Sequence, residues 1–346
     1  MRIILDVMSG DKAPLEMLLG AIDAKAQDYA KGVDFTLVGD EGVIKRIAEE
    51  NKLDISEFDI KHTSVVLTMD DDPMAVMKEK KDSSMAQGLS MLASDEGDAF
   101  VCAGNTGALF CGSSLIVKRV KGIHRAALGA ILPLRKPVML MDSGASVQVS
   151  VDYLHLFAIM GSAYMKAIYG IENPKVAMLN NGAEEHKGGE LQLAAYPKLK
   201  ESPFINFIGN VEGNQIPFGY CDVAVCDGFV GNITLKSLEG MGKLMSSELK
   251  TMFKSGLGGM LAYLLVRKKM KKFKKKFDAK EHGGAPILGL SRTVIKAHGS
   301  SDARAFKNAI RQAIECERAG VVDIIASTAA KYSEDKKKAK AEADAQ

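Results

Sequence analysis

The sequence has little of what secreted, disulfide-built or membrane-spanning proteins require. Among 346 residues it holds no tryptophan, only 6% aromatic residues and nine prolines. Its five cysteines form an odd set without a Cys-x-x-Cys pair, which predicts reduced thiols. No stretch approaches the roughly 18 apolar residues of a membrane span, and Asp6 interrupts the short apolar start, which argues against a signal peptide. We therefore expect a cytoplasmic protein.

An excess of charge of one sign is confined to a single stretch. Lysine and arginine number 46 against 43 aspartates and glutamates, for a net charge of +3. Eight of the cations lie in 267–276 with no acid among them, so the remaining chain is mildly acidic. A protein-wide nucleic-acid surface is not expected, whereas one local anionic partner is.

Motifs for common cofactors are also missing. Neither Gly-x-Gly-x-x-Gly nor Gly-x-x-x-x-Gly-Lys-Ser/Thr occurs. The six histidines are scattered without the spacing of metal ligands. We expect neither a bound metal nor an organic cofactor.

The sequence does contain a regular alternation of apolar runs and amphipathic stretches. Eight runs predict buried strands, at 2–5, 35–38, 99–102, 127–132, 138–141, 176–179, 205–208 and 223–226. Amphipathic stretches such as 15–31 and 151–168 predict helices between them. This alternation is typical of an α/β fold with a mostly parallel sheet covered on both faces. We predict a single unit over 1–332 and a charged, disordered tail over 333–346.

Several of the predicted strands end in a glycine-containing polar loop that opens a helical pattern. These loops lie at 6–11, 103–107, 142–146, 180–189 and 227–232. Free backbone N–H groups at a helix start, with glycine allowing close approach, are typical of an anion site. Because parallel strands end at one edge of a sheet, we expect the loops to meet at one crevice that binds phosphate. Turn formation and helix capping are the alternative uses of these residues.

The loops also carry a family resemblance. From Arg2 to about Ala326 the chain resembles the bacterial phosphate acyltransferase (PlsX) family in six motifs, which are Asp6-x-Met-x-Gly-Asp11, Ala103-Gly-Asn-Thr-Gly-Ala108, Asp142-x-Gly-Ala145, Asn180-x-Gly-x-Glu-Glu-x-Lys187-Gly188, Asn210-Val-Glu-Gly213 and Asp227-Gly-Phe-x-Gly-Asn232. The chain departs from the family pattern at Ser9, where a second glycine is usual, and at Ser146, where asparagine is common.

The resemblance implies a fold, an activity and partners. The fold would be Rossmann-like α/β/α, related to phosphate acetyltransferases and isopropylmalate-dehydrogenase-like proteins, with a long helical hairpin. The activity would be transfer of a long-chain acyl group from acyl carrier protein to inorganic phosphate, which forms acyl phosphate for phospholipid synthesis. The protein would act as a homodimer.

Such a reaction needs positioning and charge stabilisation more than strong acid–base catalysis. Phosphate is already anionic near neutral pH, and a thiolate is a tolerable leaving group. Asn105, Thr106 and Gly107 are our first choice for a phosphate cradle, because neutral hydrogen-bond donors at a helix start bind an anion without quenching it. For Asn105 the alternative is a helix cap.

Lys187 is the candidate cation for the phosphate or the developing oxyanion. Its alternative use is a surface ion pair with Glu184 or Glu185. Asp227 would orient phosphate through a shared proton or fix the Lys187 ammonium, since a carboxylate beside phosphate repels it. Asn232 would donate to the thioester oxygen, or cap a helix. We predict Lys187, Asp227 and Asn232 as the catalytic set.

Further loop residues complete the predicted substrate site. Asp142 would act like Asp227, or cap the helix after it. The remaining expected contacts to phosphate or thioester come from Ser143, Gly144, Asn180, Gly182, Glu185, Gly188, Gly228 and Gly231.

The segment 241–277 differs from the rest in being long, helical and increasingly basic. Apolar residues and cations recur there at helical spacing: Leu257, Met260, Leu261, Leu264, Leu265, Arg267, Lys268, Lys271 and Lys272. This pattern is typical of a helix lying on an anionic membrane. It equally suits docking of acidic acyl carrier protein, and dimer packing is the third use. Gly256, Gly258 and Gly259 predict a bend at the tip of a hairpin.

The sequence thus predicts an acyltransferase that moves a fatty acyl chain from acyl carrier protein to phosphate by direct attack. We expect it to be peripherally associated with the inner face of the membrane. The alternatives are a short-chain phosphate acyltransferase that uses coenzyme A, a non-catalytic membrane-surface protein, and a metal- and NAD-dependent dehydrogenase on the related fold.

Overall fold

The computed structural model describes residues 1–277, 281 and 283–344. Its strands are β1 (Arg2–Asp6), β2 (Asp34–Gly39), β3 (Asp59–His62), β4 (Ala99–Cys102), β5 (Ala127–Leu132), β6 (Val138–Met141), β7 (Lys175–Asn180), β8 (Asn206–Glu212), β9 (Val223–Val225), β10 (Ala285–Leu288) and β11 (Thr293–Lys296). They form an 11-stranded sheet in the order β3-β2-β1-β4-β11-β10-β5-β6-β9-β7-β8.

Helices cover both faces of this sheet. They are α1 (Leu15–Lys25), α2 (Glu41–Glu50), α3 (Ser84–Ala93), α4 (Thr106–Gly112), α5 (Val151–Tyr169), α6 (Glu190–Lys200), α7 (Gly228–Lys254), α8 (Gly256–Lys276), α9 (Ala303–Arg318) and α10 (Val321–Asp344). Ile3 and Leu5 of β1 face a core shared with α1, α5 and α9, whereas Ile4 faces a core shared with α3 and α4. This alternation along one strand confirms the predicted α/β fold.

All eight predicted runs form strands, and three further strands were not predicted. β3 has the sequence Asp-Ile-Lys-His and is mostly exposed, so it lacks the apolar run that marks a buried strand. β10 and β11 have only four residues each, and β11 ends in the charged residue Lys296.

The strand directions differ from the predicted arrangement. β1, β2, β3, β4 and β11 are mutually parallel. Three antiparallel pairings follow across the sheet, between β11 and β10, between β10 and β5, and between β5 and β6. Because three reversals leave a net reversal, β6 and its parallel neighbours β9, β7 and β8 run opposite to β1 and β4.

The prediction of one shared rim for the five loops is therefore wrong. The loops after β1 and β4 leave at what we term the first edge, which also carries the end of β11. The loops after β6, β7 and β9 leave at the opposite, second edge. The cause is the short connection 133–137 between β5 and β6, which permits an antiparallel hairpin but is too short for a parallel crossover.

The basic segment forms a helical hairpin, as predicted. α7 ends at Lys254, and α8 begins at Gly256, whose φ of +71° suits glycine at the bend. The two helices pack beside this bend, where the rings of Phe253 and Tyr263 lie 5.6 Å apart. Within the described residues, no helix has the length and apolar character needed to cross a membrane.

The charged tail is not disordered over the range that the structure describes. Residues 333–344 continue α10, which corrects the prediction for that range, and 345–346 lie outside the described residues. Lys336 of this helix pairs with Asp152 of α5 at 2.6 Å. A predicted frayed end is thus a helix joined to the core by an ion pair.

Candidate active site

At the second edge, the loop after β6 is organised around a buried carboxylate. Asp142 Oδ1 accepts hydrogen bonds from the backbone N–H groups of Leu128 (3.2 Å), Gly144 (3.1 Å) and Ala145 (3.0 Å). Ser143 donates to the Leu128 carbonyl from its backbone N and its Oγ, at 2.8 and 3.0 Å. The Asp142 and Ser143 side chains thus build the loop.

The second carboxylate oxygen of Asp142 is not used in this way. Oδ2 is buried and has no hydrogen-bond partner among the described residues. Burial raises the pKa of Asp142, although the backbone N–H groups that it accepts from oppose this. A buried carboxyl oxygen without a partner costs free energy unless a ligand or water binds it.

α7 rests directly on this loop because two glycines open its first turn. A Cβ at position 231 would overlap the carbonyl oxygen of Asp142, and one at position 228 would lie 2.7 Å from the backbone N of Ser146. The N–H of Gly228 donates to the Ser146 carbonyl at 2.8 Å. Gly228 and Gly231 therefore act through close approach of two backbone segments, rather than through an N–H group aimed at a ligand.

The two predicted catalytic residues at the start of α7 are used differently, since one caps the helix and the other lies beside the loop after β6. Asp227 is the N-cap of α7 and accepts from the N–H of Val230 at 2.9 Å, so its capping use is realised. Asn232 lies beside the loop after β6, with its Oδ1 3.5 Å from where a Cβ on Gly144 would be. Asn232 therefore has a side chain next to the loop that Asp142 organises.

The loop after β7 positions Lys187 within a closed turn. Asn180 Nδ2 donates to the Lys187 carbonyl at 3.1 Å. Gly188 adopts a φ of +101°. The Lys187 side chain packs over Gly182, and this glycine is buried. The turn thus presents a half-buried lysine at the second edge, next to β9 in the sheet.

The competing ion pair predicted for Lys187 does not form among the described residues. Glu185 pairs instead with Lys200 at 2.7 Å and accepts from the Tyr196 hydroxyl at 3.2 Å. The Lys200 ammonium lowers the pKa of Glu185, which is fully exposed. Lys187 is therefore left available for an anion, whereas Glu185 belongs to a surface pair.

At the first edge, the Asn105 side chain is used by the protein itself. Its Oδ1 caps α4 by accepting from a backbone N–H at 3.0 Å, and its Nδ2 donates to the carbonyls of Met69 (2.9 Å) and Asp71 (3.1 Å). Thr106 is half-buried and Gly107 is exposed. The alternative use of Asn105 as a helix cap is thus what the structure shows.

A buried polar cluster at the first edge was missed from the sequence. Asp6 accepts from Ser9 Oγ at 2.6 Å and from Cys102 Sγ at 3.2 Å, and burial raises its pKa. Lys296, at the end of β11, donates from Nζ to the Ala103 carbonyl at 3.3 Å, and burial lowers its pKa to about 8. The sequence signal for this cluster is the short run Thr-Val-Ile-Lys, in which a lysine ends an apolar stretch. The run was not predicted to be a strand.

One side chain connects elements that follow strands of opposite direction. Arg125 donates from Nε to Ser146 Oγ of the second-edge loop at 2.8 Å. Its guanidinium carbon also lies 5.6 Å from the ring centroid of Phe110, in the helix that follows the first-edge loop. The side chain of Arg125 therefore bridges elements from both edges. In the part of the chain that the structure describes, no group of three or more His, Cys, Asp and Glu residues is placed to hold a metal ion.

Comparisons with known proteins show the family to which the chain belongs. Residues 1–324 match the family described as fatty acid synthesis protein. The chain is 44% identical over 326 residues to a phosphate acyltransferase of Acetivibrio thermocellus, covering 94% of this chain and 95% of that protein. It is 45% identical over 314 residues to a phosphate acyltransferase of Thermoanaerobacterium thermosaccharolyticum, covering 90% and 92%.

Solved structures show the same fold at low identity. A phosphotransacetylase from Streptococcus pyogenes superposes with a TM-score of 0.59 at 16% identity, covering 92% of this chain and 94% of that one. A protein described as a 4-hydroxythreonine-4-phosphate dehydrogenase from Salmonella typhimurium gives 0.52 at 11% identity, covering 91% and 98%. The predicted relation to phosphate acetyltransferase and dehydrogenase folds is confirmed. The sequence matches show that the chain belongs to the phosphate acyltransferase (PlsX) family, whose members are acyltransferases.

Proposed function

We propose that this acyltransferase moves a long-chain fatty acyl group from acyl carrier protein to inorganic phosphate, and that the acyl phosphate serves phospholipid synthesis. The observation that carries the proposal is the match to phosphate acyltransferases over more than nine-tenths of the chain. A long-chain, protein-bound donor is favoured by the exposed basic and apolar helix α8.

The proposed step is a direct displacement. A phosphate oxygen attacks the thioester carbonyl carbon, the C–S bond breaks, and the donor leaves as a thiolate that takes up a proton from solvent. Lys187, which has no ion-pair partner among the described residues, would stabilise the phosphate or the developing oxyanion. Asn232 would donate from its side-chain amide to the thioester oxygen.

The remaining second-edge residues would support these two. Asp142 holds the loop on which Asn232 rests, and Asp227 starts the helix that carries it. Because phosphate attacks directly, no covalent acyl-enzyme is required. Cys102 and Cys226 are unsuited to act as nucleophiles, since both are buried and burial raises the pKa of both thiols.

Turnover with purified protein tests the proposed reaction. Long-chain acyl carrier protein and phosphate are mixed with the enzyme, free thiol is followed, and acyl phosphate is trapped with hydroxylamine. We expect thiol release that depends on phosphate. Its absence would remove the proposal, and equal or faster turnover with acetyl-coenzyme A would favour the short-chain alternative.

Replacement of Lys187 tests its role. Lys187→Ala should lower kcat/KM by about 30- to 1000-fold, as expected for about 2–4 kcal/mol of transition-state stabilisation. Lys200→Ala is the matched control, since it removes a lysine from the neighbouring surface pair. Equal loss in both variants would contradict a specific role for Lys187.

We further propose that α8 attaches a homodimer to the anionic inner face of the membrane. Leu257, Leu261, Leu264 and Leu265 are 55–88% exposed, beside the cations that begin at Arg267. Apolar side chains and lysines on one exposed helix are suited to the headgroup region of anionic lipid.

Vesicle binding separates membrane attachment from the other uses of α8. Leu261→Asp with Leu264→Asp should release the protein from anionic vesicles and leave turnover in solution unchanged. Leu193→Asp, at an exposed leucine of α6, is the control that should still bind. Loss of turnover together with binding would favour carrier-protein docking, and loss of the dimer would favour a packing role.

A further inference from the structure

A histidine at the first edge has a defined donor geometry. His298 follows β11 in the loop before α9, and part of its surface is exposed to solvent. The backbone N–H of Ser300 donates to its Nδ1 at 3.1 Å, and Ser300 Oγ lies 2.9 Å from the same atom. Because a backbone N–H can only donate, Nδ1 is an acceptor, and the neutral ring carries its proton on Nε2.

The surroundings of His298 keep this ring neutral. Partial burial lowers its pKa, and the cations Lys236 and Lys243 of α7 and Lys296 of β11 lower it further. Glu239 of α7 is the acid that opposes them. The ring is thus an uncharged N–H donor among several cations, an environment suited to a small polyanion.

The loop that carries His298 is held rigidly against the neighbouring first-edge loop. The N–H of Asp11 donates to the Gly299 carbonyl at 2.9 Å, and the Asp11 carboxylate lies near Gly299. Ser301, two residues on, is buried, and its Oγ has no partner in the described part of the chain. A buried hydroxyl oxygen without a partner among the described residues thus lies three residues after His298 in the same loop.

One face of α7 connects His298 to the predicted catalytic site. Asn232, Lys236, Glu239 and Lys243 follow one another at intervals of four, three and four residues, which places them on a single helix face. Asn232 lies beside the second-edge loop, whereas the other three act electrostatically on His298. Since a helix rises 1.5 Å per residue, Lys236 lies about 6 Å along the axis from Asn232. His298 and Asn232 consequently lie near the same face of α7.

We propose that His298 is a substrate-binding residue that donates a hydrogen bond from Nε2–H to an oxygen of the phosphate co-substrate. The proposal rests on the proposed acyl transfer to phosphate. A neutral donor binds the anion without surrendering a proton, so the phosphate keeps the lone pair with which it attacks. The Lys236 ammonium pairs with Glu239 at 2.9 Å, so the attraction for phosphate here comes from Lys243, which has no ion-pair partner among the described residues.

Steady-state kinetics of two variants test this assignment. His298→Ala should raise the KM for phosphate about 10-fold and leave the KM for the acyl donor unchanged. His298→Gln, whose side-chain amide keeps a neutral N–H donor, should restore most of the phosphate affinity. His62→Ala is the matched control, because His62 also accepts a backbone N–H at Nδ1 (3.1 Å) but lies on the edge strand β3.

The pH profile provides a readout that a merely structural role would not produce. If the neutral ring binds phosphate, kcat/KM for phosphate in the wild type and in His298→Gln should change with pH in the same way between pH 6 and 8. If the wild-type kcat/KM instead falls relative to that of His298→Gln as the pH rises from 6 to 8, phosphate binding requires the imidazolium. That result would overturn the proposal.

The outcomes of these experiments are distinct. An unchanged phosphate KM in a folded His298→Ala protein, or a change confined to the acyl donor, would overturn the role in phosphate binding. Failure of His298→Gln to restore the phosphate KM would do the same, provided that thermal unfolding shows both variants folded. Failure of the underlying function would appear earlier, as wild-type protein without phosphate-dependent thiol release.

Discussion

The core helix α5 and the hairpin helix α8 use similar residues in opposite ways. In α5, Leu154 and Leu156 are 1% and 0% exposed. In α8, Leu257 and Leu265 are 77% and 88% exposed. α5 packs against α6, α10 and β9, whereas the packing of α8 is against α7. Apolar residues at helical spacing therefore do not by themselves indicate a core.

The same contrast exists within one helix. The first turn of α7 lies so close to the loop after β6 that its glycines admit no side chain. Farther along, a Cβ on Gly240 or Gly242 would meet no atom within 4 Å. One end of α7 is thus packed on the loop after β6, and the other end projects with the hairpin.

The largest expected difference is in the cost of removing a leucine. Leu156→Ala should lower the free energy of unfolding by about 2–5 kcal/mol, because it leaves a cavity in the core. Leu265→Ala should change it by less than about 0.5 kcal/mol. Urea denaturation of both variants measures the two values. Similar losses would contradict the exposed position of α8.

The second largest effect is expected from a substitution at the close contact at the start of α7. Gly231→Ala would force α7 away from the Asp142 carbonyl, at a cost of about 1–3 kcal/mol, since the backbone atom it meets cannot rotate aside. Because Asn232 moves with the helix, we also expect a large loss of turnover. Thermal unfolding and the thiol-release assay measure the two effects, and full activity would show that the contact is not required.

A smaller effect concerns the ion pairs that join α5 to its neighbours. Lys198 and Lys336 lower the pKa of Asp152 to about 2, below its value in an unfolded chain. The stabilisation is therefore fully present above the unfolded pKa and is lost as pH falls through the folded value. Near pH 6, we expect the free energy of unfolding of the wild type to be about 1 kcal/mol or less above that of Asp152→Asn. The difference is small because the carboxylate is partly exposed. This difference should disappear between about pH 4 and 2. A difference that persists at pH 2 would contradict this cause.

The smallest effect is expected in the projecting part of α7. Gly242→Ala should raise the free energy of unfolding by up to about 0.5–1 kcal/mol, because alanine favours the helix and meets no neighbour. Turnover should be unchanged. A destabilising result in the same urea titration would indicate that another surface covers this part of the helix.

The sequence-based predictions are accurate where a feature depends on residues close together in the chain, and they fail where it depends on distant residues. Buried strands and helices were predictable, because burial on one or both faces imposes a local apolar pattern. Asn105 shows the limit within a loop, since capping and phosphate binding require the same residue type at a helix start. Lys296 and His298 were not predicted, because a four-residue strand carries too little pattern to be recognised.

Local chemistry in the chain is sufficient for the α/β class, the glycine loops, the basic hairpin and the family motifs, since each depends on residues close in sequence. The direction of β6, β7 and β9 relative to β1 depends on three antiparallel pairings between distant segments. It is the long-range packing of α7 and Arg125 that brings loops from opposite edges together. Contacts between residues far apart in the chain leave no periodic signal, so this arrangement becomes visible only after the chain has folded.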